Sequence, residues 1–296
     1  MWVLFHGQQV PLQMLEVLLK AVGTVVLVDN RPDTSIPLSG LDKALNDTGY
    51  GRFQVIVNGN QEGLAGAYNR AVAWLRGQPS IIDCVVFLDE DSDASTLGPF
   101  LSDREVRERL ASPSTASVAP VPLDLATGLR SKPMQFLSRW RLRYLPRDFG
   151  GLQPVAFVIN SMSVWRMSAL CLLGPYDEGL AVDHVDTEYC LRAHRRGLQV
   201  YCHGAYTFAH RIGQRRRFSL LGVQMQAGGH SPARRYLIGR NTVWLARRSL
   251  RLEPGFTLLC ALRLAYEAAG ILLAEEQRGA KLRALLRGAA SGLWAR

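Results

Sequence analysis

The chain has 296 residues, of which 48% are apolar and 20% are charged, and its formal net charge is +10. A chain of this length and composition can bury a full hydrophobic core, which excludes an intrinsically disordered protein. No run of about 18 uncharged apolar residues occurs, so we expect no membrane-spanning helix. The N-terminal residues do not resemble a signal peptide. Five cysteines without a C-x-x-C pair indicate a reduced, cytoplasmic protein with structural thiols.

Strand and helix patterns alternate over the first ninety residues. In chain order, they predict strands at 2–5, 24–28, 53–57 and 81–88, and helices at 11–22 and 63–76. Residues 31–51 are rich in proline and glycine, and we expect them to be mostly loop. This order predicts an α/β fold whose central sheet is mostly parallel, has right-handed crossovers and is flanked by helices.

Polar residues follow three of these strands: Asp29 and Asn30, then residues 58–60, then residues 89–91. The carboxyl ends of parallel strands line the ligand crevice of an open α/β sheet, so we expect one nucleotide site there. Asp89 and Asp91 can both turn towards one point, and a hard divalent cation, Mg²⁺ or Mn²⁺, would relieve their repulsion. The alternative is a helix N-cap or an Asx turn.

The second half of the chain is less regular. Residues 111–151, with Ser, Pro and Thr clusters, are expected to be irregular and to contain a mobile or acceptor-facing loop. Further predicted elements are strands at 155–165, 199–202 and 205–209, and a helix at 185–196 closed by Gly197. The pattern from Pro232 onward is helical.

A second acidic cluster contains Asp183, Asp186 and Glu188. If a helix begins near Asp186, the helix dipole keeps the carboxylates of its first turn ionised. An ionised carboxylate there could take a proton from an attacking hydroxyl. The alternative is plain helix capping. His210 stands at an apparent strand end, where a histidine can bind a metal or a phosphate, although a lone histidine is more often structural.

The C-terminal residues are strongly basic, with twelve Lys or Arg and four Glu between residues 230 and 296. Such a region favours an anionic partner, for which a membrane leaflet, a nucleic acid or a phosphorylated acceptor are candidates. A solvated, arginine-rich helix surface is the alternative. The aromatic residues of this C-terminal region are Tyr236, Trp244, Tyr266 and Trp294. They are too sparse for nucleic-acid stacking and fit docking on an anionic leaflet better.

Five ordered segments resemble the inverting family-two glycosyltransferases with a GT-A fold, in particular their bacterial rhamnosyltransferase branch. These segments are VDN (28–30), GLAGAYN (63–69), FLDEDS (87–92), VDHVDTEYCLR (182–192) and HRIG (210–213). Each motif alone is weak, whereas the ordered set is specific. The later segment HSPARRY (230–236) also looks like that branch. The similarity therefore extends over most of the chain, roughly residues 24 to 248.

The resemblance implies donor-side roles for five residues. Asp29 would receive the base of the nucleotide, with Asn30 beside it. Gly63 and Asn69 would lie next to the nucleotide, since glycine allows close backbone approach. Asp89 would lie near the ribose and the metal.

The resemblance also implies a metal set and an acceptor side. Asp91, with Asp89 and His210, would hold Mg²⁺ or Mn²⁺ against the diphosphate. Asp186 would be the general base on the acceptor hydroxyl. The residues expected to orient the base or the acceptor are Glu188, Asp183, Ser161 and Ser163.

By resemblance, the protein would transfer L-rhamnose from a dTDP-activated donor with inversion at the anomeric carbon. The acceptor would be a saccharide, free or lipid-linked, of a lipopolysaccharide or cell-surface polysaccharide. We expect a GT-A catalytic domain at 1–230, with a donor half to about 110 and an acceptor half at 111–230. A basic helical extension at 231–296 would follow. The expected location is the cytoplasm, with peripheral contact to the inner face of the membrane.

Three positions depart from the family pattern. Gln61 stands where the family has asparagine, and Met162 replaces the glycine between the two serines. Residues 1–9 lack the usual end of the first strand.

Two other functions remain open from the residues alone. A nucleotidyltransferase shares strand-end aspartates and a metal, but it would carry a basic, glycine-rich N-terminal signature, and no basic residue precedes Lys20. A non-catalytic membrane-associated binding protein would not need the two acidic clusters, which are both intact.

Overall fold

The computed structural model describes residues 1–5, 12–32, 52–125, 127–210, 216–220 and 223–295. The chain divides into an N-terminal unit (1–134, 145–181 and 185–211) and a C-terminal unit (135–144, 182–184 and 212–296). The C-terminal unit therefore includes residues 212–230 and two short segments that the sequence assigns to the catalytic domain. The predicted loop at 33–51, residues 211–213 of the HRIG motif and the departing residues 6–9 lie outside the described residues.

The elements follow one another in this order along the chain. The first are β1 (Trp2–Leu4), α1 (Leu12–Ala21), β2 (Thr24–Asp29), β3 (Arg52–Val57), α2 (Gly63–Arg76), β4 (Cys84–Val86), β5 (Leu88–Asp89), α3 (Leu97–Ser102), α4 (Arg104–Ala111), β6 (Thr115–Asp124), β7 (Leu129–Arg130), β8 (Met134–Ser138), β9 (Arg141–Tyr144) and β10 (Leu152–Val155). The remainder are β11 (Val164–Arg166), α5 (Met167–Leu173), a 3₁₀ turn (Glu178–Leu180), α6 (Val185–Arg195), β12 (Gln199–His210), β13 (Arg216–Leu220), β14 (Val223–Ala227), α7 (Pro232–Ser249), α8 (Pro254–Ala274) and α9 (Arg278–Gly292).

A parallel sheet in the order β3–β2–β1–β5 forms the first layer of the N-terminal unit. Its strands are short and apolar, and β2 is buried from Val25 to Asp29. Helix α1 packs Leu15, Leu18 and Leu19 into the core, as its apolar spacing predicts. The predicted α/β fold with a parallel sheet flanked by helices is confirmed.

A second, mixed sheet has the order β10–β12–β6–β11–β4, with β7 beside β6. The single strand predicted at 81–88 is wrong, because β4 pairs with β11 in this sheet while β5 pairs with β1 in the first. Phe87, between the two strands, donates from its N to Ser163 O (2.9 Å) and accepts at its O from Met162 N (2.7 Å). Ile81 is 92% exposed and belongs to neither sheet.

Three further expectations in the second half are corrected. The loop expected at 111–151 contains the ten-residue strand β6, whose residues 115–121 are all buried and so lack the polar alternation of a half-exposed strand. The strand expected at 155–165 is two strands, β10 and β11, separated by an irregular segment. The two strands expected at 199–209 are one, β12, with a register shift between His203 and Thr207.

Three helices, α7 to α9, form most of the C-terminal unit. Gly239 on α7 meets the backbone of Leu285, and Gly288 on α9 meets the backbone of Tyr236; a Cβ at either glycine would collide there. The two helices therefore approach each other closely. By length and composition, α8 is the one helix in the described part of the chain that could cross a membrane. The sequence analysis expected no membrane-spanning helix because it required an apolar run without charged residues. Helix α8 does not meet that requirement, since it contains Arg263 and Glu267.

Candidate functional site

The carboxyl ends of β2 and β3 meet the start of α2 in a hydrogen-bonded group. Asn58 Nδ2 donates to Asn30 Oδ1 (2.6 Å), and Asn30 Nδ2 donates to Gly63 O (3.4 Å). Asn30 and Asn58 are both buried. The predicted strand-end crevice therefore brings Asn30 and Gly63 together.

Gly63 is needed at the start of α2 for two physical reasons. Its φ is +62°, a left-handed conformation that side chains disfavour, and a Cβ there would collide with the backbone of Ala181. Leu64 N donates to Ala181 O (2.7 Å). This contact holds the start of α2 against the segment that follows the 3₁₀ turn.

Asp29 and Asn69 are hydrogen-bonded within the protein. The buried carboxylate of Asp29 accepts from Arg31 Nε (2.7 Å) and Nη2 (2.6 Å). Asn69 Nδ2 donates to Tyr176 O (3.0 Å) and Glu178 Oε1 (2.7 Å), and Asn69 Oδ1 accepts from Tyr176 N (2.7 Å). Asn69 thus braces the turn at 176–178, and the nucleotide-binding roles of both residues stay predictions.

Asp89, at the end of β5, is held on both carboxylate oxygens. Oδ1 accepts from the Tyr68 hydroxyl (3.3 Å), and Oδ2 accepts from the Ser161 hydroxyl. Removal from solvent raises the pKa of Asp89, and the charge of Asp91 adds to this, whereas the Ser161 hydrogen bond and His210 act in the opposite direction. The side chain is therefore fixed in position, and its neighbours partly offset the cost of burying its charge.

Asp91 and His210 face each other, with His210 Nδ1 3.6 Å from Asp91 Oδ1. His210 Nδ1 is buried and has no hydrogen-bond partner among the described residues, while the Asp91 side chain is 38% exposed. The described residues include no group of three or more His, Cys, Asp or Glu placed to hold a metal, so the three predicted ligands do not form one set. The pair nevertheless fits a divalent ion of the kind that takes its remaining ligands from water and phosphate.

Two tyrosines that the sequence interpretation missed lie between the donor and acceptor halves. Tyr68 on α2 and Tyr176 are buried, with ring centroids 5.2 Å apart. Burial raises both pKa values well above 10.0; the charge of Asp186 adds to both, and the charge of Asp89 adds to that of Tyr68. Tyr68 lies in the GLAGAYN motif, but a buried tyrosine on an apolar helix face is indistinguishable from a core residue by sequence alone.

Asp186 lies in the first turn of α6, as predicted. The charge of Asp186 adds to the raised pKa values of Tyr68 and Tyr176, whereas Asp89 accepts a hydrogen bond from the Tyr68 hydroxyl. The first turn of a helix favours an ionised carboxylate. An ionised carboxylate of this kind can accept a proton, and the role of Asp186 as a general base stays a prediction.

The remaining predicted residues have structural partners. Glu188 forms a two-pronged ion pair with Arg192 (Nε–Oε1 3.1 Å, Nη2–Oε2 2.5 Å). Ser163 Oγ donates to Asn160 O (2.8 Å). In the C-terminal unit, Asp183 pairs with Arg234 (3.2 Å). The acceptor-side roles of Glu188, Ser163 and Asp183 stay predictions, and so does that of Ser161, which bonds Asp89.

Comparisons with known proteins give a family match over part of the chain and a similar fold. Residues 14–96 match the family described as Glycosyl transferase family 2. The protein named dTDP-rhamnosyl transferase RfbF, from Shigella flexneri, is 26% identical over 246 residues, a match that covers 76% of this chain and 71% of that protein.

Among solved structures, GalNAc-T7 with UDP, GalNAc and Mn²⁺ superposes with a TM-score of 0.50 at 14% identity. The match covers 92% of this chain but only 55% of GalNAc-T7, so the chain spans about half the length of that structure. At this identity the likeness concerns the fold. Residues 14–96 are therefore similar to glycosyl transferase family 2, and the chain resembles GalNAc-T7 in its α/β fold, which is of the GT-A type.

Proposed function

We propose that this protein transfers L-rhamnose from a dTDP-activated donor to a hydroxyl of a saccharide acceptor, with inversion at the anomeric carbon. The observation that carries the proposal is the Asp91–His210 pair, 3.6 Å apart and two residues after Asp89, in which the buried His210 Nδ1 has no hydrogen-bond partner among the described residues. The name of the 26% identical relative supports the choice of dTDP-rhamnose.

The chemistry follows from the positions of the chain's own groups. The donor would lie over the carboxyl ends of β2, β3 and β5, near Asn30 and Gly63. Asp186 would take the proton of the acceptor hydroxyl as its oxygen bonds to the anomeric carbon. The bond from that carbon to the diphosphate breaks on the opposite face, and its electron pair leaves on the nucleoside diphosphate. A general base of this kind contributes about 10²- to 10⁴-fold to the rate.

Asp91 and His210 are the residues that would hold Mg²⁺ or Mn²⁺. When bound, such an ion supplies charge stabilisation to a departing phosphate group. Asp89 would act beside them, oriented by the hydroxyls of Ser161 and Tyr68. The unsatisfied His210 Nδ1 supports this assignment, since a buried ring nitrogen without a hydrogen bond is costly unless another partner binds it.

We further propose that the acceptor is a saccharide of a lipopolysaccharide or another cell-surface polysaccharide, free or lipid-linked, and that the reaction takes place in the cytoplasm. These finer assignments depend on the resemblance to rhamnosyltransferases. Sugars that differ by one hydroxyl are separated by hydrogen-bond geometry, so a panel of donors is the direct test.

The test measures binding and hydrolysis of a panel of nucleotide sugars with Mg²⁺, with Mn²⁺ and with chelator. The expected result is metal-dependent binding of dTDP-rhamnose that is lost in Asp91→Ala. In Asp186→Asn, binding should persist while turnover falls by about 10²- to 10⁴-fold. The exposed variant Asp93→Ala is the matched control for Asp91→Ala. Preference for another donor would overturn the sugar assignment, and no binding of any nucleotide sugar would overturn the proposed function.

A further inference from the structure

Helix α8 presents its apolar side chains outward. Its outward residues recur every three to four positions, as one face of a helix requires. This α8 face consists of Leu258, Ala261, Leu262, Ala265, Tyr266, Leu272 and Leu273, all exposed. Leu258 is 62% exposed and Leu262 is 59% exposed. A contiguous exposed apolar patch of this kind marks an interaction surface.

The two charged residues of α8 point away from this face. Glu267 bonds the fully buried Arg235 of α7, and Arg263 Nε lies 3.9 Å from Glu267 Oε1. The helix thus turns Glu267 into the C-terminal unit and pairs the partly exposed Arg263 with it, while its leucines lie outside. A helix of a water-surrounded protein has the opposite pattern, so the α8 face is built for an apolar environment.

A basic and aromatic rim adjoins the start of α8. In the β8–β9 hairpin, Trp140 is 64% exposed and Tyr144 is 57% exposed. Gly255 N, in the first turn of α8, donates to Arg139 O (3.0 Å), and a Cβ on Gly255 would collide with the backbone of Trp140. The hairpin and the α8 face are therefore continuous.

The rim is positively charged. Its six arginines are exposed and lie in the hairpin, in the last turn of α7 and in the α7–α8 turn: Arg139, Arg141, Arg143, Arg247, Arg248 and Arg251. Within the described ranges 135–144 and 246–262 the one acidic residue is Glu253, and it is buried. Leu250 and Leu252 in the turn are more than half exposed. Tryptophan and arginine around an apolar face are the composition of a lipid-interface surface.

We propose that the α8 face and its arginine rim dock on an anionic phospholipid leaflet, with α8 lying in the plane of the interface. A second copy of the chain fits less well, because its own hairpin and α7–α8 turn (described residues 135–144 and 246–262) offer the arginines no exposed acidic residue, whereas anionic headgroups do. The proposal is independent of the proposed function, since it does not involve the donor site.

The surface differs from the one expected from the sequence. Trp244 is only 4% exposed, and the Tyr236 hydroxyl donates to Ser291 Oγ (3.0 Å). Neither of these aromatic residues can insert into a membrane without unfolding α7. Tyr266 belongs to the α8 face, and Trp140, outside the C-terminal tail, takes the place of the buried Trp244.

The test is co-sedimentation of the full chain with vesicles of phosphatidylglycerol and phosphatidylcholine, compared with phosphatidylcholine alone. Binding to the anionic vesicles is expected, with release by salt or by alkaline carbonate. Replacing Arg139, Arg141 and Arg143 by Gln should weaken binding on the order of 100-fold, since each basic residue near an anionic surface contributes about fivefold. The variant Leu258→Ser with Leu262→Ser should weaken it by roughly tenfold or more.

Matched controls come from exposed residues of the N-terminal unit. Leu172→Ser, and the triple replacement of Arg104, Arg107 and Arg196 by Gln, should leave vesicle binding unchanged. Equal losses in the controls, or no binding to anionic vesicles, would overturn the proposal. So would retention after the carbonate wash, which indicates a spanning helix. A dimer in sedimentation velocity that the leucine variant abolishes, without vesicle binding, would assign the face to a second copy.

Discussion

At the scale of single residues, Asp89 and Asp91 differ in how firmly their carboxylates are held. Asp89 is bonded on both oxygens by Tyr68 and Ser161. Asp91 is more exposed and faces a histidine nitrogen that has no hydrogen-bond partner among the described residues. Two acidic residues two positions apart therefore have different surroundings, and only Asp91 has an oxygen directed towards His210.

Met162 carries the first residue-scale prediction. Its φ is +62°, a left-handed conformation that favours glycine, yet its side chain is fully buried. The left-handed backbone costs about 1–2 kcal/mol, whereas truncating a buried methionine costs about 2–5 kcal/mol. Met162→Gly should therefore lower the free energy of unfolding by about 2 kcal/mol in urea titration. Met162→Leu, which keeps the volume, should lose less than about 1.5 kcal/mol. A gain in stability for Met162→Gly would show that backbone strain outweighs packing.

The second residue-scale prediction concerns Glu188. It pairs with Arg192, whose Nη1 donates to the carbonyls of Leu173 (3.1 Å) and Pro175 (2.6 Å), so the pair fixes the turn after α5. Glu188→Gln should lower the free energy of unfolding by about 1.5–3 kcal/mol, with kcat of the folded fraction reduced less than tenfold. Asp186→Asn should show the reverse, a normal unfolding midpoint and a much lower kcat. If Glu188→Gln abolished turnover at full stability, its role would be catalytic.

At the scale of elements, helices were easier to predict than strands. The bounds of α2 follow from Gly63 and Gly77 together with a fourteen-residue apolar periodicity. The run at 81–88 has no such internal marker. Its division between two sheets is set by the partners of β4 and β5, which come from distant parts of the chain. Local sequence carries no information about which partner a strand finds.

The junction before α2 carries a prediction of its own. Gly63→Ala adds a Cβ against the backbone of Ala181 in a left-handed conformation, so the segment at 178–181 must move away. We expect a loss of about 1–3 kcal/mol in unfolding free energy and donor affinity weaker by roughly tenfold. Gly98 on α3 is the matched control, since a Cβ there meets nothing within 4 Å. Gly98→Ala should be neutral or stabilising by up to about 1 kcal/mol. Equal effects at the two glycines would contradict the proposed collision.

Over the whole chain, the sequence predicted where the acidic residues lie but not how they are bonded. Asp89 ends a parallel strand and Asp186 lies in the first turn of a helix, as the pattern indicates. The partners of these acids are set by packing between distant segments. Ser161 reaches Asp89 across 72 residues, and Asn69 reaches Tyr176 across 107. No spacing rule connects such pairs.

The two units are stabilised in different ways. A large apolar cluster that includes Trp2, Leu27 and Phe100 spans both sheets of the N-terminal unit. Among the described residues of the C-terminal unit, the apolar cluster is smaller, with Ile238, Ile271 and Leu285 as its buried members. A buried ionic network also joins the helices there. Arg235 of α7 bonds Glu267 and Glu275, and Lys281 Nζ donates to Glu275 Oε2 (2.8 Å).

This network makes the C-terminal unit sensitive to acid. Burial acts to raise the pKa of Glu275, but the Lys281 hydrogen bond and the charge of Arg235 outweigh it, so the pKa lies below its ordinary value of 4.5. A carboxylate with a lowered pKa stabilises the folded state above pH 4.5, and that stabilisation is lost as the pH falls through the lower pKa of the folded state.

Glu275→Gln removes the charge at every pH and should lower the free energy of unfolding by about 3 kcal/mol at pH 7. The cost should shrink towards zero in strongly acidic solution. Hydrogen exchange of peptides from α7 to α9 measures it locally, with the exposed Glu276→Gln expected to change stability by less than about 0.5 kcal/mol. A cost that did not change between pH 7 and acid would show that Glu275 acts through packing and not through its charge.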